Sequence, residues 1–560
     1  MENIIWKKIC KCWQEFEITK DDLDFLDRIS PVFNGVKKNI PVPTLCPSCR
    51  NARRLVWRNE RNIYRRKCDA TGKPILSVFS PDKPYKVYEH TVWAWDSWDA
   101  TEQGRDFDFN RPFFEQFDEL LKEVPHQSIF SVNCENSDYA QMINWKDCYL
   151  TFVGIWAEDI MYSHWMVNTR SCCDCLRCQD SELLYDCTHC YENCYNLKSC
   201  FNCYSTKNSS FCWNLEGSSD CFMSSNCKNK RFVFRWIELD EKTYREKLAD
   251  EKIWERYEEL LEEMKKIMAT SIYRMNQNNN AIESDWDFIK NSNNCKNCFE
   301  IDSSVDCKDF YDNAGFCKDC RDATYGWQSE SCYEVLWADG RHNLFQVLNI
   351  IWTNESIYTY ASYNCENTFW CASLKNKKYC ILNKQYTKEE YEALVPKIID
   401  HMTSTWEWWE FFPMTISTFW YNESAAQDHY PKDKSETMAI WAKWSDFENP
   451  KPEVSKIIPS SKLPTTIWEI PDDIVNWAIE CENTKKPFRI IRQELDFYRK
   501  HDLPIPRLHP DERHKRRLEL RNDRIIYDRK CDSCWVDIRT TFAPDRTEKV
   551  FCEKCYDFKF

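Results

Sequence analysis

A chain of 560 residues with a net charge of −14 and a pI near 5.4 is long enough for several domains and too acidic for a generic nucleic-acid coat. The N-terminus, MENIIWKKICKCW, lacks the apolar run of a signal peptide, and no stretch of about 18 uninterrupted apolar residues offers a membrane span, so a cytoplasmic protein is expected. Two counts are unusual: 33 Cys, which in a reducing compartment favours metal ligands and buried thiols over disulfides, and only 8 Gly against 26 Trp, although turns draw on Gly for φ > 0. A secreted disulfide framework is the alternative reading of the cysteines.

The first module spans residues 1–100. Its C-x-C pair, Cys10 and Cys12, and a distant C-P-S-C knuckle, Cys46 and Cys49, can set four thiolates around one tetrahedral Zn²⁺. Four thiolates leave no open position, so such a site is structural. The following RNARRLVWRNERNIYRRK (50–67) carries Arg50, Arg53, Arg54, Arg58 and Arg61 among eight basic residues, against the single Glu60. A basic patch on a ribbon can track phosphates; the competing reading pairs these arginines with the surplus carboxylates of the chain.

The second unit, 101–275, opens with an amphipathic segment at 110–125 whose Phe113, Phe114, Phe117, Leu120 and Leu121 share one helical face. A Cys-rich array follows at 130–235, then one long charged helix at about 241–268, with Tyr244, Leu248, Ile253, Tyr257, Leu260, Leu261, Met264 and Ile267 as a packing seam. The third unit, 276–403, starts with a loop, NQNNNAI (276–282), and holds a second array at 292–382 and a helix opened by the capping-box pair Thr387 and Glu390. The arrays lack helical periodicity and repeat Cys roughly every 9 to 13 residues, which predicts a β-solenoid or irregular β-array. Their cysteines, among them Cys172, Cys175, Cys178, Cys187, Cys190, Cys200, Cys203, Cys295, Cys298, Cys317 and Cys320, read either as a ladder of buried thiols or as ligands of further zinc or an iron–sulfur cluster. The connecting segment, 404–472, is aromatic and then Pro-rich; Glu407, Glu410, Glu423 and Asp428 there suit either acid–base chemistry or a packed loop.

The last module, 473–560, repeats the first. Residues 503–555 align without a gap on 40–92, with 23 identities in 53 positions. This copy holds the second zinc quartet, Cys531, Cys534, Cys552 and Cys555, and further basic residues including Arg516, Arg517 and Arg521. Each copy retains one of two ancestral sites. Cys68 survives with Thr71, Glu89 and Val92 in the first module; Cys481, Thr484, His509 and Glu512 stand at the other vacated site, where a mixed Cys/His/Glu site is the alternative. The duplicated ends are expected to meet and clasp the Cys-rich middle.

The alignment sets Trp535 against Gly72, in a knuckle turn that favours φ > 0, and Trp13 sits similarly. Many Trp letters are therefore expected to be glycines written from UGA codons, while Trp57 and Trp93, opposite Leu520 and Tyr556, read as true tryptophans. For the same reason WAWDSW (93–98) is rejected as a dinucleotide fingerprint.

The stretches CPSCR, WRNERNIYRRKCDATGK, PYKVYE, DFDFNRPFFEQF, NKKYCILNKQYTKEEYE and EWWEFFP resemble a Cys-rich zinc-ribbon family of small-genome candidate-phylum bacteria, without an established activity. In that family the last motif looks like EWGEFFP, which marks Trp409 as a misread Gly, and some such bacteria read UGA as glycine. The resemblance implies ancestry and zinc. The expectation is a mixed α+β protein: duplicated zinc-ribbon modules flank a Cys-rich β-solenoid-like array with interspersed amphipathic helices. It would bind about two structural Zn²⁺ ions and act without catalysis through RNA or another protein. The alternative is a metal- or thiol-dependent redox enzyme using the central cysteines. No small-molecule substrate is identifiable.

Overall fold

A computed structural model describes residues 4–560 apart from 254, 315–316, 319–320, 323, 325–328, 331–332, 340–343, 346–347 and 352. Cys320 falls on an omitted position, and the side chain of Cys317 lies outside the described residues. The first array winds as a right-angled parallel coil. Phe152, His164, Leu176 and Thr188 are Cα partners on successive strands, one turn of 12 residues apart. From Leu176–Tyr185 the coil divides into two sheet faces, one running through Thr188–Tyr191, Phe201–Tyr204, Trp213–Glu216 and Ser225–Lys228, the other through Tyr195–Lys198, Lys207–Ser210, Ser219–Phe222 and Arg231–Phe234.

The local rule behind the coil is a period of three. Every third residue from Asn144 to Arg235, with one residue inserted at Asn193, has φ near +50° and makes a corner. Along most of the coil the residue after each corner points inward, and between Cys172 and Leu215 the interior takes compact side chains: Cys172, Cys175, Cys178, Leu184, Cys187, Cys190, Leu197, Cys200, Cys203, Ser209, Cys212 and Leu215 are all at most 1% exposed. Asn and Asp tolerate the left-handed corner best and stack there; the Asn202 amide donates to Asn214 Oδ1 at 3.0 Å and that of Asn214 to Asn226 Oδ1 at 2.7 Å. Gly154 has no alternative, because a Cβ there would stand 1.9 Å from the Met166 carbonyl oxygen.

The second array follows the same geometry. It starts earlier than expected, since Asn279–Ile282 is already a strand paired with Trp286–Asn293 and not a loop. The amphipathic segment folds as the helix Phe113–Glu123 with Phe113, Phe117, Leu120 and Leu121 buried, and Thr387 with Glu390 caps Lys388–Ser404. The long helix expected after the first array is instead two helices, Glu241–Asp250 and Tyr257–Thr270. Lys252 takes φ +46° and stops the first, and Glu251 pairs with both Arg235 and Arg256 across the break. The expected seam still packs inward: Tyr244, Tyr257, Leu260, Leu261 and Met264 join one core with both the first array and the C-terminal module.

That core reveals the arrangement of the halves. The C-terminal module packs on the first array, while Phe25, Leu55, Trp57 and Phe113 of the N-terminal region share a core with Tyr358, Phe369 and Trp370 of the second. Each end of the chain therefore covers the array farther from it in sequence. The two modules also touch, through Arg61 Nη2 and Asp511 Oδ1 at 3.4 Å. No helix among the described residues is long and apolar enough to cross a membrane.

Candidate metal centres

The sulfur atoms of Cys10, Cys12, Cys46 and Cys49 lie within 4.8 Å of one another, and so do those of Cys531, Cys534, Cys552 and Cys555. Cys12 and Cys46 are 3.6 Å apart, Cys534 and Cys552 3.8 Å. A tetrahedron with metal–sulfur bonds of about 2.3 Å has edges of about 3.8 Å, so both quartets fit a four-coordinate ion. Helices begin directly after the ligands: Pro47–Leu55 follows Cys46 with Pro at its first position, and Glu553–Lys559 follows Cys552. The Cys49 thiol holds Cys46 down at about 5. Burial pushes Cys531 up, but the backbone N–H groups of Cys552, Cys534 and Ser533 bring it down to about 6. Each quartet thus has a thiolate ready for a cation.

The two vacated knuckles keep the same backbone. The Glu89 N–H donates to Cys68 Sγ at 3.3 Å and the His509 N–H to Cys481 Sγ at 3.2 Å, as the Cys552 N–H donates to Cys531 Sγ at 3.2 Å in the intact site. Burial raises the Cys68 and Cys481 thiols, and the Thr71 and Thr484 hydroxyls then lower them, standing where a second ligand would be. Neither vacated position gathers three ligand atoms among the described residues.

The central thiols do not assemble a further cluster of three or more ligands among the described residues. They share a local role with hydroxyls. Cys172, Cys187 and Cys212 donate to the carbonyl two residues back at 3.2, 3.3 and 3.2 Å, as Ser163, Ser209 and Ser224 do at 2.8 Å each. Cys is chosen where the coil interior needs a small donor that tolerates burial.

The arginines are the sharpest feature of the duplicated modules. Arg50 Nε donates to Asp322 at 2.6 Å and Nη2 to Asp309 at 3.4 Å; Arg53 reaches Glu334 at 2.8 Å and Glu410 at 2.7 Å; Arg54 lies 3.4 Å from Asp322. In the other copy Arg513 pairs with Asp174, Arg516 with Asp186 at 2.7 Å, and Arg517 with Asp174 and Asp186 at 3.1 and 3.4 Å. Asp174 and Asp322 lie 148 residues apart, as do Asp186 and Glu334, so the duplication covers the acceptors as well as the donors. Arg58 pairs with Glu60, Arg61 with Asp511 and Arg521 with Glu300 at 3.6 Å. All eight arginines singled out from the sequence are buried or half-buried against carboxylates of this chain.

The acids explain the basic helices. Asp174 and Asp186, like Asp322 and Glu334, occupy left-handed corners one coil apart, a strand spacing of about 4.8 Å, so like charges stack. Burying such a ladder is costly without counter-charges, and each helix supplies a rack of three. A signal was available in the sequence: Asp precedes an inward Cys at 147–148, 174–175, 186–187, 220–221 and 306–307.

The carboxylates of the connecting segment are likewise engaged in packing. Glu407 accepts from the Phe113 and Phe114 N–H groups at 2.8 Å each, Glu410 from Arg53, Glu423 from Tyr64 at 2.6 Å and from Lys83, and Asp428 faces His514 at 3.3 Å. Outside the arrays and the turns that close them at Trp236 and Asn383, nine described non-glycine residues have φ between +46° and +69°: Trp13, Asn34, Lys252, Trp406, Trp409, Trp441, Lys485, Asp502 and Trp535. Five are Trp, and Trp13, Trp406, Trp441 and Trp535 stand more than 70% exposed. Trp57 and Trp93 differ: both are buried, with indole N–H groups bonded to Phe412 O at 3.3 Å and Pro125 O at 2.9 Å.

No family model and no curated protein matches the chain. One solved structure, described provisionally as an acetyltransferase of Desulfovibrio desulfuricans G20, aligns at 6% identity over 44% of this chain and 65% of that chain, with a TM-score of 0.12. A likeness of that size carries no argument about fold or activity.

Proposed function

We propose that this protein is a non-catalytic zinc protein that acts by binding another protein, with two structural Zn²⁺ ions organising the ribbons that lock its arrays together. The observation that supports this reading is the pair of closed Cys₄ quartets, one in each of two modules that insert an arginine helix into an acid ladder; the first quartet adjoins its helix, Pro47–Leu55, while Pro510–Leu518 follows the vacated knuckle of the other module. The fully thiolate donor set suits Zn²⁺ and leaves no position for substrate. RNA is the less favoured partner, because engaging Arg53 or Arg517 would require breaking buried ion pairs. A titration of structured RNA against the full chain tests the choice. Binding should be weak at low salt and unaltered in Arg53→Ala. Tight binding that falls steeply with salt and is lost in Arg53→Ala would make RNA the partner.

We also infer that Trp13, Trp406, Trp409, Trp441 and Trp535 are glycines in the protein as its source makes it. The four knuckle turns support this: Gly72, Lys485, Trp13 and Trp535 have φ of +72°, +59°, +69° and +63°. Bulky residues pay about 1 kcal/mol or more for that conformation. The mass of the protein isolated from its source should fall short of the written sequence by the tryptophan–glycine difference at each position. Peptides carrying Trp13 and Trp535 intact would end the inference.

A further inference from the structure

The first array contains two columns of thiols that no metal quartet uses. Cys178, Cys190 and Cys203 are Cα partners on successive parallel strands. Beside them Cys175, Cys187, Cys200 and Cys212 form a second column in which each thiol interacts with the next. All seven are at most 1% exposed, and all are free thiols.

The spacing selects a coordination number. No three of these sulfurs lie within 4.8 Å of one another, so a trigonal or tetrahedral site is not formed. Parallel strands repeat at about 4.8 Å. Two metal–thiolate bonds of about 2.3 Å laid end to end span about 4.6 Å. A stacked pair of thiols is therefore matched to a linear S–metal–S unit, the preference of a soft d¹⁰ monovalent cation. The inward positions beside these columns supply no carboxylate; from Cys172 to Leu215 the buried ones carry Cys, Ser, Thr and Leu, so a hard divalent ion finds no ligand set there.

We propose that the thiol columns of the first array bind soft monovalent cations, silver(I) or copper(I), in two-coordinate sites between successive coils. Each ion enters as M⁺ + 2 RSH → [M(SR)₂]⁻ + 2 H⁺, with no change of oxidation state. The buried negative charge has donors near it. Burial alone would raise the Cys175 and Cys200 thiols, yet the neighbouring thiols and the N–H groups of Cys187 and Cys212 hold both well below the usual range.

Silver(I) nitrate, titrated into the reduced, zinc-loaded full chain, is the probe. Native mass spectrometry counts the ions, and a chromogenic chelator reports zinc release. Bound silver with both zincs retained is expected, and the triple variant Cys178→Ser, Cys190→Ser, Cys203→Ser should bind at least one silver fewer. Ser already occupies inward positions at Ser181, Ser209 and Ser224, so the variant should keep the circular dichroism of the parent. Silver uptake only in step with zinc loss, or an unchanged count in the triple variant, would overturn the proposal. The inference is independent of the ribbon reading, because the zinc readout separates the two.

Discussion

Cys531→Ser lowers the metal content of the chain by one ion and unravels the C-terminal ribbon. Cys531 is fully buried at the centre of its quartet, and its removal leaves three thiolates without a fourth. Structural zinc in ribbon-like peptides contributes roughly 10–16 kcal/mol of apparent binding free energy at neutral pH, much of which is folding free energy. The tip of the hairpin Tyr527–Lys530 and Asp537–Thr540, with Cys534 and Trp535, is exposed, while Ile538 and Thr540 at its base are buried, so opening should begin at the tip. The strand Lys549–Phe551 pairs with Ile272–Arg274 beside the first array, so damage should spread to that contact. Limited proteolysis and hydrogen exchange should show residues 527–560 opening first. Cys68→Ser, at the equivalent place in the other module, should leave the metal count unchanged because Thr71 and Val92 replace ligands there.

The second large effect comes from the arginine racks. Arg50→Ala and Arg513→Ala should each destabilise the fold by about 3–5 kcal/mol, because each leaves a buried carboxylate without its nearest counter-charge. Asp322 and Asp174 are 0% and 1% exposed, and neither can recover solvent without separating a module from its array. Thermal denaturation of the zinc-loaded chain measures the loss. Equal effects at the two sites are expected, since donors and acceptors are both duplicated. Effects below about 1 kcal/mol would show that the ion pairs are surface-like and the interlock weak. Arg53→Met keeps much of the volume but removes the charge and leaves buried Glu334 without its paired guanidinium, so it should also destabilise; Asp322→Ala should cost more, because Asp322 serves both Arg50 and Arg54.

The two Cys quartets were legible from their knuckle pairs near the chain ends, although C-x₂-C also recurs inside the arrays, at Cys175/Cys178 and Cys187/Cys190, without gathering a quartet. The duplication was legible too, and the shared knuckle hydrogen bonds at Cys68 and Cys531 reproduce it in three dimensions. The arrays were legible as β but not in their rule. Cys spacings of 9 to 13 hide a strict period of three, because Ser209, Thr206 and Leu215 fill the same inward slots as Cys and break the visible pattern. The arginines were legible as a cluster and not as buried, since Asp309, Asp322 and Glu334 lie more than 250 residues downstream of Arg50, Arg53 and Arg54, and Asp174 and Asp186 more than 300 upstream of Arg513, Arg516 and Arg517. The broken helix at Lys252 follows from tertiary demand: Tyr257 turns inward to meet Ser199 and Asp186, which no local propensity records.

The account rests on the two quartets holding metal and thereby holding the interlocked halves together. The direct measurement is elemental analysis of the purified full chain, paired with a melting curve before and after a strong zinc chelator. The account predicts two zinc ions per chain, and on chelation a collapse of the melting transition with exposure of the helices Pro47–Leu55 and Pro510–Leu518. A metal-free chain that melts the same with and without chelator would contradict it.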